Sequence, residues 1–448
     1  MRVPGDRRLS RNGRSFRPVA HLASPWDALG RVLRPVEAAF SFRSVPKDVF
    51  MNPLKLAAST RLRRKAAGLK TSLGPKPAKI AKTAKTAKTA KLVFHIGHHK
   101  TGSSSIQRAL ACGDIALEGK SLLYPCDVSH NYLKRHFAKC AQGEEPLAGS
   151  EGMPGLKRIQ KRVQEREWDY VVISGEEFED SPASEVNDVL QRFLLPLVRD
   201  HMVLCYLRPH VPRVLSNYSE KVKIGQFPGT LEQFHKANLN KGRFLYDAKM
   251  AKWRAEFGEK LALRAMVRGR LRDGSVVQDF VQEAFGADAA TASITPRKDS
   301  NESLCLEELM ILSLVQEQLR DRDRHLRLMM GWEVARLMGE ESLRKTRTKP
   351  ALHRSLAETI RRDYLEDARA VDRAYFADDP IFEAELERAV DEAIPEPRSY
   401  RPEDYFEPDT LATIKVMTRL VDEMIDNDKG NWANFLRKVR YRAVLADK

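Results

Sequence analysis

Gly97, Lys100, Thr101, Gly102, Ser103, Ser104 and Ser105 fall within one short stretch, FHIGHHKTGSSSIQRAL, at residues 94–110. A brief apolar run ends at Gly97, and a helical pattern starts near Gly102 and continues to about Ala111. A loop between a buried strand and a helix is where α/β sheets hold anions. Gly97 and Gly102 allow the backbone to approach an anion with no Cβ between them. The amides of residues 101–105 would serve as the unpaired donors of a first helical turn. Ser103, Ser104 and Ser105 add hydroxyl donors, and Lys100 adds a mobile point charge. The chemistry this predicts is the grip of a phosphate- or sulfate-like group. A nucleoside-triphosphate loop would place Lys and Ser/Thr directly after its last glycine and would need an aspartate at another strand end. Neither VVISGEE nor VLCYLR supplies that aspartate, so a magnesium-dependent kinase or NTPase is the weaker alternative.

Two further places could do chemistry. Arg208 ends the apolar run VLCYLR with a fork suited to two phosphate oxygens. Ser216 follows eight residues later, about one turn into the next helix, near enough to donate to the same group. Glu176 and Glu177 stand at the tip of DYVVISGEE, where a carboxylate can take a proton from an attacking hydroxyl. His98, His99 and His136 are the alternative bases.

The elements that must position these residues alternate in type. KLVFHIG (91–97), DYVVISGEE (169–177) and HMVLCYLR (201–208) read as strands buried on both faces, and KLALRAMV (260–267) as a fourth. Helical patterns fall near 102–111, 156–167, in SEVNDVLQRFLLPLVRD, from 212 with Pro212 in the first turn, and over about 246–257. This alternation predicts an α/β fold, P-loop-like, with a central parallel sheet in three αβα layers. After PRKDSNESL the chain reads as almost wholly helical. The expected organisation is a basic tail (1–90), an α/β domain (91–378) and a helical, charged C-terminal extension (379–448).

Charge is distributed unevenly over the 448 residues. Residues 1–91 hold 22 Lys and Arg against 4 Asp and Glu, which more than accounts for the whole-chain net charge of +16. That tail includes the repeat AKTAKTAKTAK and is too poor in apolar residues to offset its ordering entropy, so disorder is expected. It can act by loose contact with an anionic membrane or polyanion, or it can be a solvated extension, with translation starting at Met51. A tail-driven nucleic-acid-binding protein is a further alternative, although no specific nucleic-acid signal is present. Five cysteines without a CxxC pair argue against a disulfide framework or zinc site and for a reducing compartment. No run of about 18 apolar residues offers a membrane span, and no secretory signal is evident. The expected location is cytoplasmic, at most peripheral to the inner face of the membrane.

At HIGHHKTGSSSIQ the chain resembles the 5′-phosphosulfate loop of sulfotransferases that use 3′-phosphoadenylyl sulfate (PAPS), most closely the bacterial, carbohydrate-type branch. LCYLRPHVPRVLSNYSEKVKIG resembles that family's 3′-phosphate segment, and ISGEE its Ser-x-Glu-Glu strand tip. PRKDSNESL resembles its distal Pro-Arg-x-Asn-x-Ser stretch, with RFLYDAKMAKWRAEFGEKL and LEDARAVDRAYF as weaker likenesses. The resemblance spans about residues 91–376. It implies sulfonate transfer from PAPS to a hydroxyl or amine, with a saccharide as acceptor and no required metal. It further implies that Lys100 neutralises the leaving oxygen and that Glu176, or Glu177 beside it, is the base. Arg208 and Ser216 would hold the 3′-phosphate, and Arg297, Lys298 and Asn301 would close over it.

Overall fold

Strand β1 (Lys91–His95) sends alternate side chains into two different cores, which is why its sequence reads as one unbroken apolar run. Leu92 and Phe94 enter one core, and Val93 enters the other. The same division recurs in β4 (Tyr170–Ser174), with Val171 and Ile173 against Tyr170 and Val172. In β5 (Asp200–Leu207) it separates Val203, Cys205 and Leu207 from Leu204 and Tyr206.

These three strands lie in a five-stranded sheet ordered β3-β4-β1-β5-β6, completed by β3 (Leu122–Leu123) and β6 (Leu261–Ala265). Every pairing within it is parallel. β1 sits at the centre, with Lys91 to His95 in register with Tyr170 to Ser174 on one side and Asp200 to Leu204 on the other. The carboxyl ends of β1, β4 and β5 therefore open side by side. An open parallel sheet takes its ligands outside that edge.

Helices α1 (Ser103–Cys112) and, later in the chain, α8 (Val276–Phe285) cover one face through Ile106, Leu110, Phe280 and Ala284. The opposite face is covered by α2 (Leu133–Ala141), α3 (Leu156–Gln164), α4 (Ala183–Phe193), α5 (His210–Lys223), α6 (Leu231–Leu239) and α7 (Asp247–Phe257). The fold is thus α/β, with a parallel sheet between helical layers. Beyond the sheet come α9 (Leu306–Gln318), α10 (Arg324–Glu341), α11 (Arg354–Tyr375), α12 (Ile381–Asp391), α13 (Pro408–Asn427) and α14 (Trp432–Leu445). α11 buries Leu356, Ile360, Tyr364, Ala368 and Val371 along one stripe, the spacing of a core-facing helix.

This computed structural model describes residues 89–296, 304–341, 348–427 and 430–445. All belong to one clustered unit, Ala81–Lys448. Apart from its last two residues, the basic tail expected to be disordered lies outside the described residues, as do Arg297, Lys298 and Asn301. Among the described residues, no helix is long and apolar enough to cross a membrane.

Two features depart from the sequence expectation. β3 falls between the first helix and 156–167, where no strand was expected, and a separate antiparallel pair joins β2 (Ile115–Leu117) to β7 (Ala292–Ile294). Strands of two or three residues are too short to display a period of two. α5 also starts at His210 rather than Pro212, because His210 Nε2 lies 2.9 Å from Asp367 Oδ2 on α11. That carboxylate also accepts the backbone N–H groups of Tyr246 and Asp247 at 2.9–3.0 Å. FLYDAKM and LEDARAV, distant in sequence, are joined by this one side chain.

Candidate active site

The loop after β1 doubles back on itself through left-handed residues. Gly97 has φ 44°, Gly102 has φ 77°, and Lys100, with a side chain to accommodate, has φ 70°. A Cβ on Gly97 would come within 2.6 Å of Ser103 Oγ, so glycine is required there for space as well as conformation. Thr101 braces the turn: its Oγ1 donates to the His98 carbonyl at 2.6 Å and accepts from the His98 amide at 3.3 Å.

Two guanidinium groups hold the loop's carbonyls in place. Arg208, at the tip of β5, donates from Nη1 to the Lys100 carbonyl at 2.7 Å. Arg213, buried on α5, donates to the His99 carbonyl. The His98 amide is taken by Thr101 and the His99 amide by Glu179, so an anion would be met by the amides from Lys100 onward. The strain of a left-handed Lys100, of order 1–3 kcal/mol, is maintained by this double anchor.

Arg213 is balanced by Glu179, whose two oxygens accept from Nη2 at 2.7 and 2.8 Å. Glu179 is 5% exposed and also accepts the His99 amide at 3.0 Å, while His98 Nδ1 lies 3.1 Å away. Burial alone would raise its pKa. His98 and Arg213 outweigh that and hold the carboxyl well below the usual range. This carboxylate was not singled out in the sequence, although it anchors the loop from beneath.

Glu176 to Asp180 form one short 3-10 turn immediately after β4. Phe178 at its centre is fully buried and packs on Phe94 and Phe137, with ring centroids 4.9 and 5.0 Å away. Burying a phenylalanine is worth about 1.5–3 kcal/mol, enough to fix the turn and so assign each acid a direction. Glu179 points inward to the anchor. Glu176 reaches toward the loop, its Oε1 3.7 Å from His99 Nδ1 and 3.5 Å from the donating amide of Asn131. Glu177 is turned outward, 44% exposed and 3.9 Å from Lys134 Nζ. Asn131 accepts the Glu177 amide at 3.2 Å, so it braces the acidic pair from a segment that sequence reasoning passed over.

Electrostatics distinguish the candidate bases. For Glu176, burial pushes the pKa up, but contact with His99 and the charge of Lys100 bring it below the ordinary carboxylate value. It is a carboxylate at neutral pH. His99 is pushed down by burial and up by Glu176, with a net rise. His98 is fully buried and its pKa is lowered, first by desolvation. His136 stands on α2 against Tyr132 with its pKa lowered by burial, and no described contact brings it to the loop.

The remaining expected residues divide by position. Ser103 is buried beneath the loop, 3.4 Å from Thr101 Oγ1, whereas Ser104 is exposed and Ser105 half-buried. The Ser105 amide is bonded to the Gly102 carbonyl at 3.0 Å, so it is not among the donors left for an anion. Ser216 is the seventh residue of α5, nearly two turns along rather than one, and its hydroxyl donates to the Arg213 carbonyl at 3.2 Å. Among the described residues, no hydrogen bond joins it to Arg208. Lys100 extends to Glu220 on α5, with Nζ and Oε2 2.5 Å apart. The structure therefore gathers Gly97, Lys100, Thr101, Gly102, Arg208 and Glu176 at one edge, and sets Glu177 and Ser216 at its margins.

The fold and this edge define an α/β protein with a left-handed loop between its central strand and the following helix, flanked by Arg208 and Glu176. No protein-family model and no curated protein matches the chain. Among solved structures it is similar to the crystal structure of a sulfotransferase from Alicyclobacillus acidocaldarius, at 18% identity, over 52% of this chain and 96% of that chain, with a TM-score of 0.30. At so low a score, any functional argument has to be carried by the residues of the site themselves.

Proposed function

We propose that this chain is a sulfotransferase that moves a sulfonate group from PAPS to a hydroxyl or amine of an acceptor, most readily a saccharide. The observation that carries this reading is the meeting, at adjacent carboxyl ends of β1, β4 and β5, of an amide-lined loop bearing Lys100, the guanidinium of Arg208 and the ionised Glu176. One binds an anion, one adds fixed positive charge, and one accepts a proton.

In the proposed reaction the acceptor oxygen attacks sulfur, the sulfur–phosphate oxygen bond breaks, and 3′,5′-ADP leaves. The acceptor's proton passes to the Glu176 carboxylate. Lys100 and the loop amides stabilise the charge that grows on the leaving oxygen, so positioning and preorganised dipoles do most of the work. A carboxyl below its ordinary pKa is a weak base. The incoming donor carries several negative charges to within reach of Glu176, which raises its proton affinity once the complex forms. Arg208 is assigned to the 3′-phosphate, with Ser216 at the margin, and the N-terminal basic segment to a separate contact with an anionic surface.

The test is transfer of radiolabelled sulfonate from PAPS to a panel of saccharides, together with thermal shifts with 3′,5′-ADP and with ATP–magnesium. Stabilisation by 3′,5′-ADP and loss of at least about a hundredfold in turnover for Lys100→Ala are expected. Near-normal turnover in that variant, or stabilisation by ATP–magnesium alone, would overturn the assignment.

A further inference from the structure

Lys100 is assigned to the leaving oxygen, yet in this structure its ammonium is engaged elsewhere. Its partner, Glu220, is a single buried carboxylate that receives three donors. Lys100 Nζ lies 2.5 Å from Oε2, Lys223 Nζ lies 2.6 Å from the same oxygen, and Trp332 Nε1 donates to Oε1 at 2.7 Å. The side chain of Glu220 is 16% exposed and that of Lys223 is 15% exposed. Trp332 lies on α10, and the Arg440 guanidinium of α14 stacks over its ring at 4.2 Å. The extreme C-terminal helices are thus linked to the loop lysine through one indole and one carboxylate.

α5 presents this group in line with the loop. Arg213, Asn217 and Glu220 are spaced to share one helix face, and the first and last of them bond His99 and Lys100 in turn. Asn217, between them, is 7% exposed, and its Nδ2 has no hydrogen-bond partner among the described residues.

An ammonium held against Glu220 shares its charge with that carboxylate, so full compensation of a leaving oxygen draws it away from Glu220 toward the donor. Moving one partner of a buried ion pair normally strands the other charge, at a heavy cost. Here it does not: when Lys100 departs, Lys223 and the Trp332 N–H remain on Glu220, and the carboxylate stays neutralised and hydrogen-bonded. We propose that Glu220 is a positioning residue that parks Lys100 before the donor binds, and that Lys223 lets Lys100 transfer to the donor without leaving a buried charge behind. Trp332, held under Arg440, fixes which carboxylate oxygen faces the loop. This inference rests on the sulfotransferase reading, since that reading gives Lys100 its second partner.

The experiment measures 3′,5′-ADP binding by calorimetry, turnover with PAPS, and melting temperature for the wild type and for Glu220→Gln, Lys223→Met, Lys223→Arg and Trp332→Phe. Glu220→Gln removes the competing negative charge, so 3′,5′-ADP should bind about tenfold tighter, the scale of one charge-assisted hydrogen bond. Its turnover should fall, because the ammonium is no longer steered. Lys223→Met should bind 3′,5′-ADP about tenfold more weakly, with Lys223→Arg restoring it. Trp332→Phe, which keeps the ring and drops the donor, should lower turnover with little change in melting temperature. A merely structural role would never tighten binding. If the wild type binds 3′,5′-ADP but Glu220→Gln, still folded, binds it equally or more weakly, the exchange is refuted and the donor reading survives. If the wild type does not bind 3′,5′-ADP, both fall together.

Discussion

Glu179→Gln tests whether the loop is held from below by a buried charge pair. The carboxylate is 5% exposed, and four groups converge on it: Arg213 Nη2 at 2.7 and 2.8 Å, the His99 amide at 3.0 Å, His98 Nδ1 at 3.1 Å and Lys249 Nζ at 3.5 Å. Glutamine preserves shape but replaces one acceptor by a donor, so an NH2 group must face either Arg213 or the His99 amide. Arg213, 2% exposed, then keeps a positive charge with no equal partner. Breaking one half of a buried pair costs about 3–5 kcal/mol. Because the folded carboxyl has its pKa depressed below 4.5, its stabilisation is fully present at neutral pH and is lost as pH falls through the folded value. The assay is urea unfolding at pH 7, where the midpoint should fall at an unchanged slope.

Stability alone would not show that the pair serves the loop, so a second variant separates the two effects. Glu179→Leu with Arg213→Met replaces the pair by apolar groups of similar volume, a change that is often neutral or stabilising. The same change removes the anchors on both the His99 amide and the His99 carbonyl. The double variant should therefore recover most of the stability lost in the single one, yet bind 3′,5′-ADP at least about tenfold more weakly. A single variant that loses under about 1 kcal/mol refutes the buried-charge argument. A double variant with full binding refutes the anchoring role.

Three other outcomes are expected. Gly102→Ala should destabilise the fold by about 2 kcal/mol through its left-handed conformation, and by more because its Cβ would meet Val276 Cγ1 at 2.8 Å. Adding Val276→Ala should return only the steric part in thermal unfolding. Phe178→Ala should cost about 3–5 kcal/mol and, by releasing the turn that aims Glu176, lower turnover beyond any loss in folded protein. Burial pushes His95 down to about 4 and His130 down to about 3, from 6.5 in an open chain. Both rings are neutral in the fold, so their stabilisation is complete above pH 6.5 and declines as pH falls toward 4 and then 3. By pH 4.5 the loss should be on the order of 2–3 kcal/mol for each ring, and an unfolding free energy that stays flat from pH 7 to 4.5 would remove the assignment.

The sheet was legible because β1, β4 and β5 are buried on both faces, and so write themselves as apolar runs. The loop was legible as a strand-to-helix turn because its glycines fall where left-handed backbone is needed, at Gly97 and Gly102. The anchor was not legible. GEEFED offers four acids within five residues, and only the burial of Phe178 decides that Glu176 faces the loop while Glu179 faces Arg213. Asn131, Glu220 and Trp332 carry no local mark either, since each meets the site from far along the chain. The same distance explains Ser216: the helix that carries it starts early because His210 finds Asp367, which no pattern around residue 210 could announce.

The positive groups at this edge are compensated in part. Arg213 is matched by Glu179, Lys100 and Lys223 by Glu220, and the Arg208 guanidinium spends one donor on the Lys100 carbonyl. An isolated cluster of buried cations would destabilise the protein, and this partial pairing lowers that cost. The consequence is that a bound anion gains only the difference between new and old partners for every cation that must move. The loop amides divide: those of His98 and His99 already donate to Thr101 and Glu179, whereas those from Lys100 onward have no charged partner to give up among the described contacts. Recognition should therefore rest on the preorganised backbone, with Lys100 as the cation whose partner changes. For the proposed transfer that division is suitable: fixed dipoles would hold the group throughout, and the mobile charge would arrive where negative charge grows.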